Sequence, residues 1–376
     1  MKINEIIVEN RQRIVEGARI AHAEDLVFYE GTAGALRAVN NILTLTKNKD
    51  TLSIKWDGRP ALVAGRGEDG VFIMTDKSGF TAKGYNGLYK SAKEFVAQKQ
   101  SKGGDTEYLN KISQVWPIIE AAFPPSYRGF IQGDMMWFPG ELKDNGKRYV
   151  FTPNTVTYEV DKKSTLGVRV GQGKAGFAVH TFYAAPGAEG QALKNTAGLN
   201  LNSSLCVLGP EIKNEASVQK DKLHAKQVVQ YIKSLKKPID TFLNAETLAS
   251  LKMTGLPDLL YTYVNAQTKG GDLSQLYERF ESWVQSNPKL SKVMVQKVLE
   301  YTHNNSAGLK AIFDVFDAVT TLKLDILRQL DSHEGPVIAH IAGQRGGEGY
   351  VSTDPGGPIK LVNRLGFSAA NFAGNE

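Results

Sequence analysis

Lys55 stands in the run Ile54-Lys55-Trp56-Asp57-Gly58-Arg59-Pro60-Ala61, which sets an amine close to a carboxylate, a glycine and a guanidinium. A lysine side chain is ordinarily charged, with a reference pKa of about 10.4, and it attacks phosphorus only after losing its proton. Burial and neighbouring cations lower that pKa. Gly58 gives room for backbone to approach a ligand. Arg59 offers a planar fork of donors suited to phosphate or ribose oxygens. The chemistry open to this grouping is nucleophilic attack at a phosphate. A surface hairpin carrying mixed charges is spelled with the same letters, so the remainder of the chain has to decide.

Lys55-Trp56-Asp57-Gly58 resembles the Lys-x-Asp-Gly signature, motif I, of the ATP-dependent DNA ligases, RNA ligases and mRNA capping enzymes, with Arg59 one place before the arginine usual in that family. Segments resembling the later motifs follow in the family's order. Thr75-Asp76-Lys77-Ser78-Gly79-Phe80 resembles motif Ia, with Lys77 in place of the usual arginine and Lys83, Gly84 and Tyr85 close behind. The run from Gly129 to Trp137 resembles motif III, a strand ending in an acid, here Asp134. A buried carboxylate needs a partner, and a ribose hydroxyl or a hydrated metal would serve; a strand-end Asp in a turn is the plainer reading. Lys174 to Tyr183 resembles motif IIIa, the strand whose aromatic ring stacks on the base, with Phe177, His180 and Phe182 as candidates; an alternating core strand has the same pattern. Gly347-Glu348-Gly349-Tyr350-Val351 resembles the RNA-ligase form of motif IV. Glu334-Gly335-Pro336-Val337 competes for that place, but Pro336 fits a central strand poorly. Pro358 to Arg364 resembles motif V: Lys360 is present, Val362 replaces the second lysine, and Arg364 would share the face of Lys360 if the strand continued.

The resemblance implies an α+β fold, a ligase-type nucleotidyltransferase domain with mainly antiparallel sheets. It implies a covalent lysyl-AMP intermediate on Lys55. Nucleotide contacts would come from Ser53, Ile54, Arg59, Lys77, Asp134, Phe177, His180, Glu348, Lys360 and Arg364, and metal contacts from Glu348 and Asp134. The implied cofactors are ATP and Mg2+ (or Mn2+), and the implied partner is nucleic acid, either RNA or single-stranded or nicked DNA. DNA ligases and capping enzymes usually follow motif V with an OB-fold, and the sequence after Lys360 is too short for a five-stranded barrel. An OB-fold is therefore not expected, and phage-type RNA ligases are the nearest likeness. Three functions follow: a ligase for RNA or single-stranded nucleic acid; a DNA nick ligase or other nucleotidyltransferase; an inactive relative that binds nucleic acid or serves in an assembly.

These residues need elements to hold them. Leu52–Trp56, Ala61–Ala64, Gly70–Met74, Gly129–Trp137, Tyr149–Phe151, Thr155–Val160 and Gly176–Tyr183 read as strands, and Lys90 to Phe123 reads as helical. Residues 1–48 read as an N-terminal helical segment with a break at Gly31 and Gly34. Residues 49–209 read as the first part of the nucleotidyltransferase domain, 210–332 as a helical insertion and 333–376 as the second part. Within the insertion, Asp272 is expected to cap one helix and Asn287-Pro288 to start another, and Ala307 to Leu330 carries a broad apolar stripe. Lys213, Lys220, Lys222, Lys226, Lys233, Lys236 and Lys237 cluster at its start; they would track a phosphate backbone or form a solvated face.

Composition narrows the alternatives. A net charge of +6 mildly favours polyanionic partners. A single cysteine, Cys206, excludes an internal disulfide and Cys-rich zinc sites, and its apolar neighbours predict a buried thiol. No P-loop and no His-Glu-x-x-His occurs, which disfavours those ATPases and zinc proteases. With no long apolar run, a soluble cytoplasmic protein with no membrane partner is expected, in the host cell if viral.

Overall fold

The computed structural model describes residues 20–44, 52–81, 87–193, 195–211, 222–354 and 356–367. The helix expected before residue 20, and Lys83, Gly84, Tyr85, Lys213 and Lys220, lie outside the described residues. The chain is α+β and divides into two compact units. Among the described residues, the first comprises those within 53–211 and 334–348, and the second those within 20–52, 222–333 and 349–367. Two boundaries differ from the sequence reading. Residues 20–52 belong with the helices, and residues 349–367 do too, so Glu348 and Lys360 fall in different units.

The first unit is built on two sheets. In the larger, Gln191–Ala192, Ala175–Tyr183, Gly129–Trp137, Ala61–Arg66 and Phe72–Asp76 are neighbours in that order, all antiparallel. Leu205–Leu208 adds to Ala175–Tyr183 in parallel. Alternation along the strands turns Leu62, Ala64, Ile131, Met135, Phe177 and Val179 into one buried cluster. Helices Ala92–Gln100 and Thr106–Ala122 contribute Phe95, Ile112, Trp116 and Ile119 to it. Ser91 and Asp105 start those helices by accepting backbone N–H bonds, from Glu94 and from Glu107 and Tyr108. Each such buried side chain stabilises the unit by about 1.5–3 kcal/mol.

The second sheet orders Gln344–Arg345, Val337–Ile341, Val156–Asp161, Arg148–Phe151 and Lys143–Asp144, again antiparallel. Val156, Tyr158 and Val160 alternate as its buried residues. Cys206 is buried as expected, and burial pushes its thiol up to about 12.

The second unit is mostly helical. Its longest helix, Ser306–Ser332, buries the stripe of Leu309, Ile312, Phe313, Phe316, Val319, Leu322 and Ile326. Phe28 of helix Leu26–Thr44 stacks on Phe316 with ring centres 5.6 Å apart. That helix breaks at Gly31, and Asp240 accepts the Thr32 N–H at 3.1 Å where it resumes. Two expected helix starts move. Leu276–Ser286 begins behind Gln275, and Asp272 instead pairs with Arg279 at 2.8 Å. Lys292–Asn304 is capped by Ser291, whose hydroxyl accepts from Met294 N–H at 3.2 Å, while Asn287 closes the preceding helix. Ala21–His22, read as helical, is a short strand parallel to Gly357–Leu361, which in turn pairs antiparallel with Gly349–Asp354. Among the described residues no helix is long and apolar enough to cross a membrane.

Candidate functional site

Lys55 ends the strand Leu52–Lys55 and opens the loop that leads into Ala61–Arg66. Its neighbours on both sides are pinned. Ile54 N–H donates to Glu211 O at 3.0 Å. Trp56 is only 8% exposed, and its indole N–H donates to Gly209 O at 2.9 Å. The Trp56 ring lies 4.9 Å from Tyr158 and 6.4 Å from Phe151, centre to centre. Trp56 thus anchors the loop, leaving Lys55 and Asp57 on either side of a fixed point.

Gly58 brings the loop against the strand that carries Asp134. A Cβ at Gly58 would lie 2.6 Å from Met135 O, 2.7 Å from Met136 Sδ and 2.9 Å from Asp134 Cβ, so only glycine fits. Arg59 N–H donates to Met135 O at 3.1 Å, and Met135 N–H returns to Pro60 O at 3.0 Å. The register then sets Ala61 opposite Asp134, with Ala178 on the other side of Asp134. Because Met135 points into the core cluster, Asp134 projects from the opposite face.

Lys55 Nζ donates to Glu348 Oε2 in an ion pair whose side chains are 24% and 13% exposed. Glu348 follows the hairpin Val337–Ile341 and Gln344–Arg345, secured where Gly346 N–H donates to Ala339 O at 3.0 Å. Gly349, next in the chain, has φ +140, and a Cβ there would lie 2.2 Å from Leu361 O. Glycine is therefore required directly after the glutamate.

Two further carboxylates share the field of Lys55. Burial pushes Asp134 up to about 7; Lys55 pulls it down, and Glu348 and Asp57 push it further up. Burial also raises Asp57, opposed by Asn154, Lys55, Thr155 and Arg59. Asn154 Nδ2 donates to Asp57 Oδ2 at 3.0 Å, and Thr155 Oγ1 donates to the same oxygen at 3.4 Å. Asp57 N–H donates to the Tyr158 hydroxyl oxygen at 2.7 Å. Asn154, Thr155 and Tyr158 had no place among the residues read from the sequence. Their only local signal is the polar turn Thr152-Pro153-Asn154-Thr155 between two strands, and nothing in it points to Asp57.

Lys55, Asp134 and Glu348 are thus brought together, with Ser53, Ile54 and Arg59 on the same loop or strand. Lys77 is exposed and begins a helical turn, Lys77–Phe80, where a loop was expected. Asp76 caps that turn, accepting from Gly79 N–H at 2.7 Å. Phe177 is 0% exposed in the core cluster, so its expected contact with a base is corrected to core packing. His180 sits at a bulge against Gly129–Trp137, exposed, with Nδ1 2.8 Å from Thr181 Oγ1.

Lys360 and Arg364 belong to the second unit. Lys360 lies on a strand, in register with Val351 and His22. Arg364 requires a correction. The strand stops at Leu361, and the Arg364 guanidinium, 6% exposed, donates to Asp25 Oδ1 at 2.6 Å and Asn265 Oδ1 at 2.5 Å. Lys323 and Glu24 pair beside it at 2.5 Å, with Glu24 3.6 Å from Arg364. The charge of Arg364 is balanced inside a buried cluster and is not presented to a phosphate.

Among the described residues no group of three or more His, Cys, Asp or Glu side chains could hold a metal ion by itself. Asp134 and Glu348 offer carboxylate oxygens, the donor type that Mg2+ takes together with waters and substrate phosphates. No curated protein and no solved structure matches the chain. A family model described as a family of unknown function matches residues 18–376, and the chain therefore belongs to that family, DUF6267.

Proposed function

We propose that the protein is an ATP-dependent polynucleotide ligase, acting on RNA or single-stranded nucleic acid through a covalent nucleotide on Lys55. The observation that carries this reading is the convergence of Lys55 and Glu348 in one ion pair, within the field of a half-buried Asp134. These three residues come from the segments that resemble motifs I, III and IV. The α+β unit that holds them agrees with a ligase-type nucleotidyltransferase domain.

In the first step Lys55 gives its proton to the carboxylate of Glu348, which already accepts its hydrogen bond. The freed lone pair on Nζ attacks the α-phosphorus of ATP. A nitrogen–phosphorus bond forms, the bond to the bridging oxygen breaks, and pyrophosphate leaves with that electron pair. A nucleic-acid 5′-phosphate oxygen then displaces the lysine, and a 3′-hydroxyl displaces AMP from the activated end. A divalent magnesium ion would be held by Asp134, and by Glu348 while that group is a carboxylate, and would supply charge neutralisation on the phosphates. Asp57 remains beside Lys55 throughout and favours the cationic amine formed when Lys55 is released.

Incubation with Mg2+ and α-labelled ATP tests the reading. A label should survive denaturation in the wild type and be absent from Lys55→Ala. No adduct with any nucleoside triphosphate would overturn it. Joining assays on single-stranded RNA, single-stranded DNA and nicked duplex then assign the acceptor, with single strands expected to be joined.

A further inference from the structure

The hairpin of Arg148–Phe151 and Val156–Asp161 grips the nucleophile loop at three points. Asn154 and Thr155 both donate to Asp57 Oδ2, at 3.0 and 3.4 Å. The Tyr158 hydroxyl accepts the Asp57 N–H at 2.7 Å. The Tyr158 ring packs 4.9 Å from Trp56, the residue between Lys55 and Asp57. A partly buried carboxylate is costly unless donors satisfy it. The hairpin has its own closure, since the hydroxyls of Thr152 and Thr157 lie 2.9 Å apart. Donors from Asn154 and Thr155 therefore serve Asp57 in addition to the turn.

We propose that Asn154 and Thr155 are positioning residues for the nucleophile: they hold the Asp57 side chain beside Lys55, and so set the direction from which Lys55 attacks. This rests on the reading of Lys55 as the nucleophile. Donors to a carboxylate favour its charged form. Removing them frees the Asp57 side chain to turn, so the loop loses the fixed point beside the amine while ATP can still bind.

The experiment uses the full chain and measures the rate of lysyl-nucleotide formation, with KM for ATP and a thermal melt for each variant. Asn154→Ala with Thr155→Val should slow adduct formation by about tenfold or more and leave KM for ATP near the wild-type value. Thr155→Ser and Asn154→Ser keep shorter donors; they should fold and keep most of the wild-type rate. An unchanged rate of adduct formation in a folded double variant, or a loss carried by KM alone, overturns the proposal. So does a loss that the serine variants share and that follows melting temperature alone. If the double variant fails to fold, the serine variants decide by the same criterion against Thr155→Val and Asn154→Ala singly. Absence of any adduct in the wild type overturns the underlying reading of Lys55 along with it, whereas a normal wild-type adduct with unmoved variants overturns only the positioning role.

Discussion

Lys55 has one direct acidic partner and two more acids within its field, and each can be tested separately. Lys55→Arg keeps the positive charge opposite Glu348 but cannot be deprotonated at any working pH. Its melting temperature should stay within roughly 2 °C of the wild type, while covalent labelling disappears. A large stability loss would show that the amine is held for structure. Asp134 makes a pH prediction. Its folded value is about 7 against an ordinary 3.8, so between those values the folded protein holds a proton that the unfolded chain has lost. Stability from this residue is fully present below pH 4 and is lost as pH rises through 7. Asp134→Asn has no proton to lose. Its melting temperature relative to the wild type should climb between pH 4 and pH 8, by roughly 3–6 °C, while adduct formation falls. A pH-independent difference would sink this account.

At the scale of elements, period and apolarity located the strands well. Gly129–Trp137 was read to the residue, because two apolar runs, Phe130-Ile131 and Met135-Met136-Trp137, flank its polar middle and turn residues bound it. The helix starts were less legible. Asp272 and Asn287 are good capping types, but Asp272 pairs with Arg279 and Asn287 closes a helix. Either use satisfies the same side-chain chemistry, and only tertiary structure selects. The face of Phe177 was hidden for a related reason: alternation gives two faces without saying which is the core, and the bulge near His180 shifts the register. The tight approach of Gly58 is equally invisible in sequence, and it is testable. Gly58→Ala must move either the loop or the strand end at Asp134. It should destabilise the first unit by about 1–3 kcal/mol, read by chemical denaturation. Adduct formation at a temperature where the variant is fully folded should fall further than the stability loss accounts for, and a wild-type rate there would contradict it.

For the whole molecule, the α+β class was legible but the allotment of segments to units was not. Lys360 and Arg364 follow Glu348 closely in sequence, yet they belong with the helices. Arg364 shows the physical reason. Spacing suggested a phosphate contact, whereas the side chain neutralises Asp25 in a buried cluster with Glu24 and Lys323. Arg364→Met leaves Asp25 without its main partner and should cost about 3–5 kcal/mol in denaturant unfolding. Adding Asp25→Asn should recover part of that loss. KM for ATP should not rise in the folded variant; a clear rise would restore the phosphate role.

The ion pair between Lys55 and Glu348 joins residues 293 positions apart. The stretch Asn214–His333 of the helical unit is encoded between them. During synthesis the amine leaves the ribosome early and its acid late. A message cut short anywhere between the two yields a chain that has the lysine and its loop but lacks the carboxylate that pairs with it. Under the proposed function, incomplete copies are then inert rather than half-active, simply through the distance set between two codons.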